Sequence, residues 1–317
     1  MRCIFSRRAF SSSQFDAAQG APSDASAWRA IVRVLRSPCA TSLGCILSTP
    51  LHDLGSVLFP SSCRLCSGPL LRVSTVPVCD DCLARLLPQS MDVCVRCGEN
   101  LGEEAFFRSG PAECRSCRLA PPQFVRAAAY GTYHDEMRRS LHLLKYERVT
   151  SMAKPLGTLM AQAILMLAPV APPAMLVIAV PLFAGRQRKR GYNQSILLTD
   201  IALQAVRTQL PEWDLQVAHS RLIRTRDTES HFRLAPHQRR ENLKGAFAVA
   251  AKDAVRGQNI LLVDDIYTTG ATARECSRVL LKAGASSVWV ATLARAQVDT
   301  FATWQLSAVM EQASTVH

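Results

Sequence analysis

Two adjacent carboxylates, Asp264 and Asp265, follow directly on the apolar run Ile260-Leu261-Leu262-Val263, and a loop of hydroxyls around one glycine comes next. Strand, acidic pair, small-residue loop and helix start, in that order, describe a phosphate site with a ribose hook beside it. Gly270 permits a tight turn, so the N–H groups of residues 268–272 can converge on a phosphate at a helix N-terminus. Thr268, Thr269 and Thr272 add hydroxyl donors, with Ala271 completing the loop. The acids cannot serve the phosphate, because like charges repel. Their natural partners are sugar hydroxyls or a magnesium ion just beyond it. The plain alternative is a buried strand and a polar turn, which leaves two carboxylates costly and without a task.

A second chemistry is written in sulfur. Eight of the twelve cysteines form four Cys-x-x-Cys pairs: Cys63/Cys66, Cys79/Cys82, Cys94/Cys97 and Cys114/Cys117. Each pair has the bite that sets two thiolates on one tetrahedral metal, and four pairs make two Cys₄ zinc sites. Such sites leave no position for water, which makes them structural rather than catalytic. Gly68 and Gly98 lie just past two of the pairs, where a knuckle turn needs a permissive backbone. A disulfide framework competes poorly in a chain that reads as an intracellular nucleotide-type enzyme without a secretory leader, so the expected location is cytoplasmic. Pairing stays open between a sequential scheme and an interleaved cross-brace. Cys3, Cys39 and Cys45 are scattered, and Cys276 reads as a small core residue.

The elements that position these groups follow from periodicity. With 317 residues and 48% hydrophobic content, the chain accommodates one α/β domain plus a smaller module. A net charge of +12 suits anionic partners such as nucleotides, pyrophosphate or nucleic acid, although a basic solvated surface explains any single patch equally well. Residues 124–133 alternate enough for a strand or hairpin, and Met137 to Tyr146 reads as a helix with Met137, Leu141 and Leu144 on one face. Between Pro155 and Gly185 no residue is charged, yet Pro169, Pro172 and Pro173 divide the run into a helix and a buried strand, Met175–Val180. Neither piece reaches the roughly 20 residues of a bilayer span, so no transmembrane segment is expected. A basic loop, 186–194, precedes a helix from about Ser195 to Leu210. Residues 222–245 suit a mobile basic loop, Phe247–Val249 a short strand, 259–264 the motif strand, 273–282 its helix and Ser287–Leu293 a last core strand. Alternating apolar strands and helices predict a parallel sheet, with the loop at the carboxyl end of its strand.

Residues 263–272 resemble the PRPP (phosphoribosyl pyrophosphate) motif of type I phosphoribosyltransferases. That resemblance implies that Asp264 and Asp265 bind the ribose hydroxyls while Thr268, Thr269, Gly270, Ala271 and Thr272 hold the 5′-phosphate. The cysteine pairs, Leu-Leu-Lys-Tyr at 143–146, Val-Pro-Leu at 180–182, Arg-Gly-Tyr-Asn-Gln at 190–194 and Arg-Arg-Glu-Asn-Leu-Lys-Gly-Ala-Phe at 239–247 occur in register with the motif. Together they resemble the ComF family of competence protein F and GntX-like proteins. The resemblance implies an α/β fold: a parallel-sheet, type I phosphoribosyltransferase-like domain over 121–295 behind a double zinc ribbon over 51–120. Residues 296–317 are then a tail. Residues 1–50, rich in Ser, Ala and Arg, read as a disordered leader or as lying upstream of the true start, in preference to a transit peptide. A short apolar helix is expected over Leu51–Phe59.

Under this reading Arg186, Arg188, Lys189 and Arg190 offer guanidinium or ammonium groups to pyrophosphate or a nucleic-acid backbone, Tyr192 stacks on a base, and Lys145 reaches toward the pyrophosphate. A plain solvated face explains the basic residues equally well. The family's Thr-x-x-Gln is here Thr228-Glu229-Ser230-His231, and nothing in the sequence orients His231 as a base. No catalytic residue is assigned. The resemblance implies an accessory in DNA uptake that handles single-stranded DNA, alone or with a DNA-uptake motor protein. The alternative is a Mg²⁺-dependent transferase displacing pyrophosphate from PRPP onto an unknown acceptor.

Overall fold

The computed structural model describes residues 61–70, 74–90, 92–102, 112–228 and 242–297. The leader 1–50, the helix expected over Leu51–Phe59, His231 and the tail beyond 297 lie outside the described residues.

Two short helices, α1 (Asp80–Ala84) and α2 (Arg115–Leu119), accompany the cysteine pairs. The chain then alternates: β1 (Ala127–Thr132), α3 (Asp135–Tyr146), α4 (Ala153–Leu165), β2 (Ala174–Ala179), α5 (Ala184–Arg190), α6 (Gln194–Gln209) and β3 (Asp214–Val217). It continues through β4 (Leu222–Arg224), β5 (Phe247–Val249), β6 (Asn259–Tyr267), α7 (Ala271–Lys282) and β7 (Ser287–Arg295). Five strands form one all-parallel sheet in the order β1-β7-β6-β2-β3, while β4 and β5 pair antiparallel apart from it.

Both faces of the sheet are covered, which is why its central strands are apolar runs rather than alternating ones. On one face Val177, Leu261, Val263, Ala291 and Leu293 pack with α3, α4 and α6; on the other, Ile178, Ile260, Leu262, Val288 and Val290 pack with Cys276 and Leu280 of α7. Helices α4 and α6 meet at Gly157, where even a methyl group would stand 2.7 Å from Ile201 Cβ. Only a hydrogen side chain fits there. The face expected on α3 is the buried one, with Met137, Leu141 and Leu144 all inside.

Two expectations are corrected and one strand is new. The basic stretch after Pro181 is not a loop throughout: Ala184–Arg190 is helical, with no buried residue. Residues 222–245 are not all loop, since Leu222–Arg224 pairs with Phe247–Val249. Strand β3 was not foreseen, and its register on β2, Ala174↔Asp214 to Val177↔Val217, makes it an edge of the sheet. Among the described residues no helix is long and apolar enough to cross a membrane.

Candidate functional site

Strand β6 continues through both acids to Tyr267, and α7 begins at Ala271, so the turn between them is only Thr268, Thr269 and Gly270. Gly270 sits at φ +74 as the helix N-cap, and a Cβ on it would fall 2.1 Å from Tyr267 Oη. Left-handed backbone and a packed ring beneath it both demand glycine here. The first N–H groups of α7 have no partner within their own helix and open toward this turn. Thr269 Oγ1 is buried without a hydrogen-bond partner. Beside the turn lies a small cleft with a cavity volume of about 20 Å³, lined by Val180, Asp264, Tyr267, Thr268, Gly270 and Thr272 among others.

The two carboxylates have different surroundings, as neighbours on an extended strand must. Asp264 lines the cleft. Its Oδ1 accepts from Ser195 Oγ at 3.1 Å and from the Asp265 N–H at 2.9 Å. Burial, then the Asp265 carboxylate next door, pushes its pKa up to about 7. Asp265 is 4% exposed, and its Oδ2 lies 2.8 Å from Lys145 Nζ. That approach is an ion pair without hydrogen-bond alignment. Lys145, at the end of α3, is therefore held inside the site rather than on the surface.

The Arg-Gly-Tyr-Asn-Gln block has a structural explanation that its sequence did not disclose. Asn193 caps α6 by accepting from the Ser195 N–H at 2.9 Å, and its Nδ2 donates to the Val180 carbonyl at 3.0 Å. Cap and strand end are thereby locked together, and the locked serine is the one that holds Asp264. Tyr192 is half-buried against the core, with its hydroxyl donating to the Leu144 carbonyl. It is not a free stacking platform. Arg186 pairs with Asp227 at 2.8 Å and also donates to the Thr228 carbonyl. Arg190 donates to Gln194 and lies 5.4 Å from the Tyr146 ring centre. Arg188 and Lys189 are exposed. The basic residues are thus divided between braces of the fold and two open cations.

All eight expected cysteines converge, and in the sequential scheme. Cys63, Cys66, Cys79 and Cys82 form one cluster and Cys94, Cys97, Cys114 and Cys117 the other, with the sulfurs of each within 4.8 Å of one another. The two are built alike. A knuckle supplies the first pair, closed by Cys63 N–H to Gly68 O and Cys94 N–H to Glu99 O, both 2.8 Å. A short helix capped by Cys79 or Cys114 supplies the second. The left-handed knuckle position is Ser67 (φ 62) in the first and Gly98 (φ 67) in the second, so Gly68 is not the permissive residue expected of it. Four mutually close sulfurs fit one tetrahedral metal ion per cluster, with the Glu99 carboxylate beside the second, 3.9 Å from Cys97 Sγ.

One buried cation escaped notice in the sequence. Arg295, the last residue of β7, is 4% exposed. Its Nη1 donates to the Thr268 carbonyl at 2.6 Å, and its Nη2 lies 3.3 Å from Glu99 Oε2 and 3.5 Å from Cys97 Sγ. Nothing in its sequence neighbourhood marks it, since the partners are 27 and nearly 200 residues away.

Residues 195–304 match the family model described as the phosphoribosyl transferase domain, which defines the class of the sheet and its loop. DNA utilization protein YhgH of Salmonella typhi is 32% identical over 239 residues, covering 74% of this chain and 97% of that protein. Competence protein F of Haemophilus influenzae is 29% identical over 247 residues, 75% of this chain and 98% of its own. Competence protein ComFC of Bacillus subtilis is 26% identical over 226 residues, 69% and 84% of the two chains. The chain belongs to the ComF family.

Proposed function

We propose that the turn 268–272 binds the 5′-phosphate of a phosphoribosyl compound, PRPP being the reference ligand, with Asp264 and Asp265 directed to the ribose. The observation that carries this reading is the left-handed Gly270 turn at a helix N-terminus, with an unpartnered buried hydroxyl on Thr269 and a braced carboxylate on Asp264 beside it. Anions are favoured at such a terminus, and an orphan hydroxyl is satisfied by a phosphate oxygen. Lys145 neutralises Asp265, and a sugar hydroxyl donating to that carboxylate would add a hydrogen bond beside the pair. Both cysteine clusters hold zinc, since thiolates in a closed tetrahedral set favour it, and its role is to fix the ribbon. Magnesium arrives with the pyrophosphate, where it offsets phosphate charge.

The ribbon over 51–120 and the phosphoribosyl domain over 121–295 then serve a cytoplasmic accessory in DNA uptake. Arg188 and Lys189 are its exposed cations for a single strand, and a motor protein is its partner. Relatives named as competence and DNA utilization proteins support this use. A transferase reading is favoured by one observation, the Lys145–Asp265 pair beside Asp264, which is the charge equipment that steadies an oxocarbenium-like ribose.

Calorimetry with PRPP and Mg²⁺ on the zinc-loaded protein tests the site. Binding is expected, and a double variant Asp264→Asn/Asp265→Asn that binds as well as the parent would refute the assignment. Pyrophosphate release with a panel of bases and amines separates the two uses. Release with one acceptor establishes the transferase; none, alongside salt-sensitive binding of single-stranded DNA, leaves the accessory.

A further inference from the structure

We infer that Arg295 is a positioning residue that couples metal occupancy of the Cys94–Cys117 cluster to the ligand affinity of the 268–272 turn. The inference rests on the phosphoribosyl reading of that turn and adds a control element to it. One guanidinium touches both sites: Nη2 reaches Cys97 Sγ at 3.5 Å and Glu99 at 3.3 Å, while Nη1 holds the Thr268 carbonyl at 2.6 Å. Its carbon also lies 4.2 Å from the centre of the Tyr267 ring, the ring against which Gly270 is packed. The first residue of the turn and the floor beneath its glycine are therefore set by one buried cation.

A buried guanidinium stays where negative charge and acceptors hold it. Four thiolates around one divalent ion keep a net negative charge, and Glu99 adds to it. Loss of the metal frees the knuckle carrying Cys97 and Glu99 from its fixed place beside Arg295, so the grip on Thr268 loosens and the N–H groups of the turn lose their common aim. The first cluster lacks such a link among the described residues. Its guanidinium neighbour, Arg85, lies 3.0 Å from Cys82 Sγ but turns to Glu136 on the half-exposed side of α3. By thermodynamic reciprocity, a ligand in the turn must tighten metal binding at the second cluster by the same factor that the metal tightens the ligand.

The test uses full-length, metal-loaded protein challenged with a chelator and N-ethylmaleimide, with each cysteine followed by peptide mass spectrometry. Saturating PRPP is expected to slow alkylation of Cys94, Cys97, Cys114 and Cys117 about tenfold, while leaving Cys63, Cys66, Cys79 and Cys82 unchanged. Arg295→Lys keeps the charge but not the fork, and is expected to abolish that protection and weaken PRPP binding about tenfold. Should that variant not fold, Glu99→Gln loosens the same guanidinium from the rim and is expected to reduce the protection. Equal protection of both clusters, or protection that survives in the folded variants, overturns the inference. Absence of PRPP binding to the parent protein would defeat the phosphoribosyl reading instead. The coupling is then judged by amide hydrogen exchange: faster exchange in residues 268–272 on metal stripping supports it, and unchanged exchange sinks it.

Discussion

The two cysteine clusters share one plan and differ in what surrounds them. All four sulfur-bearing residues of the second are buried, whereas the first leaves Cys66 exposed and Cys79 half-exposed. The first is packed on α3 through Cys63, Leu65 and Cys82 in the main core, with Arg139 of α3 donating to the Leu65 carbonyl, and its ion pairs, Arg64–Glu147 and Arg85–Glu136, are partly solvated. The second is fastened through Arg295, whose side chain is 4% exposed, to the turn beside the cleft. The knuckle is common to both, so the difference lies in the ion pairs that fasten it, half-solvated in the first and buried in the second. Solvated pairs are weak and tolerant; buried ones are demanding and transmit displacement.

The sharpest way to break this comparison is to remove one thiol from each cluster. Cys117→Ser is expected to lower the thermal midpoint far more than Cys66→Ser and to weaken PRPP binding about tenfold, as read by scanning calorimetry and titration. Equal losses would erase the distinction between the clusters. Next in size is Gly270→Ala, where a left-handed alanine and a clash with Tyr267 together cost about 2–4 kcal/mol. Chemical denaturation measures it, and a loss below half that would mean the turn is looser than its tie to the second cluster requires.

A smaller effect depends on pH. The Asp264 carboxyl is raised from the ordinary 3.8 to about 7, so the folded protein binds more protons than the unfolded chain between those values. Stability therefore falls as pH rises through that window. Asp264→Asn is expected to raise the thermal midpoint by a few degrees at pH 8 and to change it much less near pH 4. An equal shift at both pH values would show that this carboxylate is not strained by burial. The smallest effect belongs to the first cluster's rim. Arg64→Ala breaks a half-exposed ion pair and is expected to cost less than about 1 kcal/mol in urea unfolding.

Legibility in the sequence followed the physical cause of each element. Strand β6 was plain because four buried apolar residues precede two acids, and α7 because Cys276 and Leu280 recur at helical spacing into the core. Strand β3 was not, since at the sheet edge Leu215 is its only buried residue and no apolar run exists. Helix α5 buries no side chain, so no periodicity announces it. The cysteine spacing named the ligands and left the pairing open, because pairing depends on where each short helix returns. The acidic pair and the hydroxyl turn stood out as residues of the candidate site, while Lys145 could equally have been a surface lysine. Asn193, Ser195 and Arg295 act through partners distant in sequence, and no local pattern encodes such partnerships.

Gly157 packs against Ile201 of α6 and lines no part of the cleft, yet Asn193 and Ser195 at the start of that helix brace Asp264. A methyl group there would have to push α6 away from α4, and the cap would travel with it. In the genetics of this family, position 157 therefore belongs with the ligand residues: variants there should surface in screens for lost function beside those of Asp264, although no map drawn by distance would include it.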